Sequence, residues 1–218
     1  MIAALLPSAA YGDTLPLLRP SAGVTAAEYV ALAPLLLANL CAMSFDYLVR
    51  QKVQGRHLHW FVVEQLLVIV PEKFAQPLPA KFLTAMRKAQ LMNGHHANPT
   101  VADFVIPQVL ALSYTAHDLA PFARDLGYVD DKGKVLPPFV WNDEERRARM
   151  AALDAVFFWL YGLSADDAAY IMDSFPIVRE QDERACGHYR TRTDVLALLA
   201  LMPAKAAAPS DPGMALVH

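Results

Sequence analysis

Arg50, Lys52 and Arg56, with the amide of Gln54 among them, crowd around Gly55, and His57 and His59 follow two residues apart. Cations at this density on a tight connection can hold phosphate oxygens, and an amide between them can read a base edge. A solvated polar turn has the same residue pattern, so this cluster alone does not separate the two readings. Arg179, Arg184, Arg190 and Arg192, with His188 and Tyr189, form a second basic group. Glu180, Asp182, Glu183 and Asp194 are interleaved with it, which is the pattern of surface ion pairing.

Other reactive residue types have simpler explanations. Asp130-Asp131, Asp143-Glu144-Glu145 and Asp166-Asp167 fall where turns and helix starts want carboxylates. His57 and His59, with His95-His96, offer four ring nitrogens, but nothing in their spacing makes them converge on a metal. No Gly-rich phosphate loop with Lys-Ser/Thr is present, and no strand-turn-helix carries Gly-x-Gly. Asn98-Pro99-Thr100 shares two residues with the Asn-Pro-Pro-aromatic motif of amino-group DNA methyltransferases but lacks the second proline and the stacking aromatic. No catalytic residue, metal site or cofactor site is assigned in this chain.

The elements that must carry the basic turn can be read from caps and breakers. Thr25-Ala-Ala-Glu28 is a capping box that opens a helix expected to run to Gln51, kinked or split at Pro34. Gly55 ends the turn, and His57, His59 and Phe61 are expected on one face of a strand, with Leu58 and Trp60 on the other. One helical turn over Val62–Leu66 and a strand over Leu67–Val70, stopped by Pro71, should follow. Ile2–Leu6 and Thr14–Leu18 read as short strands. Ala80–Leu91 has helical periodicity with Lys81, Arg87 and Lys88 on its polar side.

Beyond the loop Asn93–Pro99, two helices are expected between Val101 and Gly127, with a break at Pro107 or Ser113 and cap patterns at Thr100 and Thr115. Asn142 caps a helix with Met150, Leu153, Val156, Phe157 and Leu160 on its apolar face. Ser164 caps the next helix, and Thr193–Met202 forms the last. The reading is therefore α+β and mostly helical: a small mixed strand-helix unit over 1–92, a helical C-terminal unit over 100–202, and a disordered Ala/Pro tail over 203–218.

Composition bounds the class. The 218 residues are 55% hydrophobic and 19% charged, with 9 Gly and 16 Pro, enough apolar mass for one large core or two small ones. A net charge of −3 means that any nucleic-acid site is local rather than a general basic field. Cys41 and Cys186 supply neither a disulfide framework nor zinc spacing and read as reduced thiols of a cytoplasmic protein. The apolar run Val30–Phe45 falls short of the roughly 20 residues of a spanning helix. The N-terminus lacks the basic region of a secretory leader.

The block Phe45–Pro71 resembles the target-recognition domain of type IIG-like restriction-modification adenine methyltransferases, including those of phage-defence systems. The resemblance rests on Arg50-Gln51-Lys52, Gly55, Gln65-Leu66 and Pro71 after an apolar helix. Leu153-Asp154, Leu160–Ser164, Tyr170–Arg179, Asp182-Glu183 and Tyr189–Arg192 are similar to the closing segment of the same enzymes. Ala3–Leu18 is similar to the strand region where their recognition domain begins. Cys41-Ala42-Met43 and Leu67–Val70 depart from the family's usual runs.

The resemblance implies a DNA-recognition module with no catalytic motif of its own, expected to start after the methyltransferase domain. Its implied partners are double-stranded DNA and a methyltransferase on a separate chain, with S-adenosylmethionine on that missing catalytic domain. Arg50, Lys52, Gln54, Arg56, His57 and His59 are the expected DNA contacts. The alternative is a helical protein-interaction module whose apolar faces pack on a catalytic partner.

Overall fold

The computed structural model describes residues 3–6, 17–53, 60–92, 97–204 and the backbone of 214–216. The described chain is mostly helical. In order, the elements are α1 (Ala26–Cys41), α2 (Met43–Lys52), α3 (Trp60–Val63), β1 (Leu67–Ile69), α4 (Pro71–Phe74), α5 (Ala80–Lys88), α6 (Val101–Ser113), a 3-10 turn (His117–Leu119), α7 (Ala120–Asp125), α8 (Asp143–Leu160), α9 (Ala165–Asp173), α10 (Pro176–Cys186), α11 (Arg190–Leu199) and β2 (Met214–Leu216).

Local chemistry explains most helix starts. At Thr25, Thr100 and Ser164 the hydroxyl accepts the N–H three residues on, while Glu28, Asp103 and Asp167 accept the cap residue's own N–H. Asn142 caps α8, accepting the Glu145 N–H at 3.0 Å, and Asp143, Glu144 and Glu145 complement the dipole of its first turn. Pro71 and Pro176 sit at the first turn of α4 and α10, where a missing N–H costs nothing. Gly187 ends α10 at φ 76°, a left-handed conformation in which a Cβ would be strained.

Helix α8 is the axis of the core. Every residue from Ala151 to Leu160 is buried, so this half of the helix is surrounded on all sides. α11, α6 and α2 pack along it, and α1 crosses α6. Phe45, Phe82, Phe104, Phe157, Phe158 and Met172 are fully buried in one continuous cluster that draws on residues before and after the segment 93–96. Each such side chain contributes about 1.5–3 kcal/mol by leaving water. A satellite cluster forms around Leu110, Tyr114 and Ala123, where Tyr128 and Phe139 stack with ring centroids 4.9 Å apart.

Several sequence expectations are corrected. The long N-terminal helix breaks at Ala42, not at Pro34; Pro34 lies inside α1 in the core, and the two helices meet at 65°. Trp60 and Phe61 belong to α3, not to a strand, while His57 and His59 lie outside the described residues. Ala3–Leu6 and Leu17-Leu18 form no strand. Thr115 caps nothing, because the following turn starts at Ala116 without a side-chain cap. Pro107 stays within α6, and the break falls after Ser113. Met150 is exposed rather than on the buried face of α8.

The tail supplies β2, which pairs antiparallel with β1 in the register Leu67↔Leu216, Val68↔Ala215 and Ile69↔Met214. Among the described residues no single helix is long and apolar enough to cross a membrane.

Candidate nucleic-acid interface

Helix α2 delivers the first two of the predicted contacts. Phe45 and Val49 are buried and fix its inner face, and Asp46 and Arg50, one turn apart, lie about 100° round the helix from it. Arg50 donates from Nε and Nη2 to Asp46 Oδ2 at 3.0 and 2.8 Å. Its guanidinium also lies over the Phe175 ring, 4.5 Å from the centroid. Arg50 thus rests against the scaffold while about half of its side chain, 53%, stays exposed. Lys52, the last residue of α2, is exposed, and its charge complements the negative end of the helix dipole. Gln54, Arg56, His57 and His59 lie outside the described residues.

The tertiary structure brings the two distant blocks of the resemblance together. Tyr47 on α2 meets Tyr170 on α9 edge to face at 6.4 Å, beside the Arg50–Phe175 contact. Tyr170 and Ile177, some 70 and 69% exposed, stand on the surface formed by α9 and α10. Sequence reasoning missed both as surface residues.

Three of the four arginines of the second basic group are engaged in ion pairs. Arg190 pairs with Glu144 at 2.6 Å and Asp194 at 3.5 Å, Arg179 with Glu183 at 2.7 Å, and Arg192 with Asp173 at 3.2 Å. Arg190 holds the Glu144 carboxyl below its ordinary range. Asp182 is buried and accepts from Arg147 Nη1 at 2.7 Å and the Thr191 N–H at 2.6 Å, tying α10 and the start of α11 to α8. Asp130 Oδ1 accepts the N–H groups of Lys132 and Lys134 and so closes a turn. Among the described residues no group of three His, Cys, Asp or Glu could hold a metal.

The placement of α2 itself depends on Asp154, which sequence reasoning noted only within a family block. Its Oδ1 accepts the Met43 N–H at 2.8 Å, capping α2 from α8 because Ala42 has no side-chain acceptor. Burial raises the Asp154 carboxyl to about 7, against the lowering effect of the Met43 N–H. The carboxyl forms part of the wall of a mainly apolar cavity of about 520 Å³ between α1, α6 and α8.

No protein family, curated protein or solved structure matches this chain.

Proposed function

We propose that the chain is a DNA-sequence recognition module, the C-terminal part of an adenine-specific (N6) restriction-modification DNA methyltransferase, and is itself not catalytic. The observation that carries this reading is the Arg50–Phe175 contact beside Tyr47–Tyr170, which joins the Phe45–Pro71 block to the Tyr170–Arg179 block. Two segments that resemble the same enzymes in sequence therefore meet beside the C-terminal half of α2.

In this reading Arg50 anchors the turn, Lys52 and Arg56 hold phosphate or guanine, and Gln54 meets a base edge. His57 and His59 contact phosphate. S-adenosylmethionine and the methyl transfer belong to the catalytic domain of that enzyme.

Fluorescence polarisation with a duplex pool over a salt series tests the reading. Binding should be weak, and its logarithm should fall by about 0.9 per phosphate contacted for each tenfold rise in salt. Absence of binding at low salt even with a methyltransferase chain supplied, or binding indifferent to salt, contradicts it.

A second reading, a helical interaction module packing on a catalytic partner, is favoured by the exposed Tyr29, Leu32, Trp60 and Phe61 and by the ion pairing of the C-terminal arginines. Self-association on size exclusion that DNA does not relieve would select it.

A further inference from the structure

We infer that the apolar cavity between α1, α6 and α8 binds an elongated aliphatic carboxylate, with its acid group on Arg146 and a hydroxyl or carbonyl at its far end on Asp154. This small-molecule site goes beyond DNA recognition and does not depend on it.

The cavity has the size and lining of a small-molecule site. Its volume of about 520 Å³ lies within the roughly 300–1,000 Å³ of such pockets, and Leu37 from α1, Val109 from α6 and Leu153 from α8 make its wall mainly aliphatic. Ala3–Leu5 close one side, where the Cys41 thiol donates to the Ala3 carbonyl at 3.3 Å. Cys41 and Met150, both exposed, stand in the wall, so the cavity reaches the surface.

Two polar groups interrupt this wall, and each has bonding capacity that the protein leaves unused. Asp154 is 8% exposed; its Oδ1 accepts the Met43 N–H, while Oδ2 has no hydrogen-bond partner among the described residues. A buried polar atom without a partner costs free energy that a ligand can recover. Burial raises this carboxyl to about 7, so at neutral pH and below it can donate its proton to a hydroxyl or carbonyl oxygen.

Arg146 is the second group. Its Nη1 donates to the Leu112 carbonyl at 2.9 Å, and its guanidinium lies over the Trp141 ring, 3.8 Å from the centroid. These contacts hold the cation in place without neutralising it. Its neighbours Arg147 and Arg149 pair with Asp182 and Glu145, but among the described residues no carboxylate forms an ion pair with Arg146. Asp143 attracts it from a distance and accepts the Trp141 indole N–H at 2.6 Å. Partial burial works against the unpaired charge, which favours an incoming carboxylate.

The spacing of the two groups sets the shape of the ligand. Arg146 and Asp154 are about two turns apart on α8, some 12 Å along its axis. Met150 and Leu153, which line the cavity between them, are apolar. A cation, an aliphatic run and a hydrogen-bonding end select a molecule with groups in the matching order. Arg146 disfavours an ammonium in the same place.

The test uses the full chain and isothermal titration calorimetry, with decanoate, ω-hydroxydecanoate, decanol and decylammonium below their micellar concentrations. Decanoate should bind saturably with one molecule per chain, and ω-hydroxydecanoate about tenfold more tightly. Arg146→Met keeps the aliphatic stem; it should weaken decanoate about tenfold and leave decanol unchanged, while Arg146→Lys retains most of the binding. With Cys186→Ser, Cys41 is the only thiol left of the two. A concentration of ω-hydroxydecanoate about ten times its Kd should slow the reaction of Cys41 with a thiol reagent about tenfold.

Absence of saturable binding by either acid, unchanged decanoate affinity in folded Arg146→Met, or tighter binding of decylammonium than of decanoate overturns the inference. An unprotected Cys41 in a chain that binds decanoate places the ligand elsewhere and overturns the site. Equal affinity for decanoate and ω-hydroxydecanoate overturns the part given to Asp154. The Cys41 measurement leaves Arg146 and Asp154 intact, so it decides even where Arg146→Met fails to fold.

Discussion

The Arg50 guanidinium sits 4.5 Å from the centre of the Phe175 ring, linking the last turn of α2 to the residue that precedes α10. A partly desolvated cation over an aromatic face is worth about 0.5–2 kcal/mol. A double-mutant cycle of Arg50→Ala and Phe175→Leu, read by urea unfolding, should give a coupling of about 0.5–1 kcal/mol. Additive effects would remove the proposed anchor.

Lys52 is exposed at the end of α2, so its removal should touch binding and not folding. Lys52→Ala should weaken DNA binding about equally for all duplexes and reduce the salt slope by about 0.9, while Lys52→Arg keeps the slope. Polarisation titrations at several salt concentrations measure both.

Asp154 gives the fold a distinctive pH dependence. Its folded carboxyl titrates at about 7, above the ordinary aspartate value near 4, so the native state holds a proton that the unfolded chain releases. The resulting stability is complete below about pH 4 and is lost as pH rises to 7. Asp154→Asn keeps an acceptor for the Met43 N–H but cannot ionise. At pH 8 it should be more stable than the parent by on the order of a few kcal/mol, with the difference vanishing near pH 4. Denaturant midpoints across that range check it.

Asp182 should behave oppositely. Burial alone would raise its carboxyl, but the Thr191 N–H and hydroxyl and the Arg147 guanidinium outweigh burial and hold it low. The stability it contributes is present above the ordinary aspartate value and lost as pH falls through the lowered one. Asp182→Ala leaves Arg147 without this partner and should cost about 3 kcal/mol at pH 7, measured by chemical denaturation.

Tyr161→Phe should cost about 1–2 kcal/mol, because it leaves the Leu67 carbonyl and an Asn39 N–H without their shared partner. Thermal unfolding reads the loss, and faster amide exchange at Ile69 locates it at β1.

Four helix starts were legible in the sequence, because Thr25, Thr100, Asn142 and Ser164 act on N–H groups within one turn, whereas the last helix starts at Arg190 rather than Thr193, with no side-chain cap to mark it. The buried run of α8 was legible in part from periodicity, since its apolar residues recur at helical spacing. Arg50's engagement was not legible, because Phe175 lies far along the chain. The break at Ala42 was not legible either: no Gly or Pro marks it, and the acceptor that caps Met43 comes from α8. The short strand β1 was legible as the apolar run stopped by Pro71, but the groups that meet its backbone, Asn39 and Tyr161 on one side and the tail on the other, were not. The sequence by itself determined what nearest neighbours along the chain can satisfy. Which helix meets which, and which backbone groups are closed by distant side chains, was decided only by the tertiary structure, where a buried N–H or C=O must find a partner wherever the packed chain supplies one.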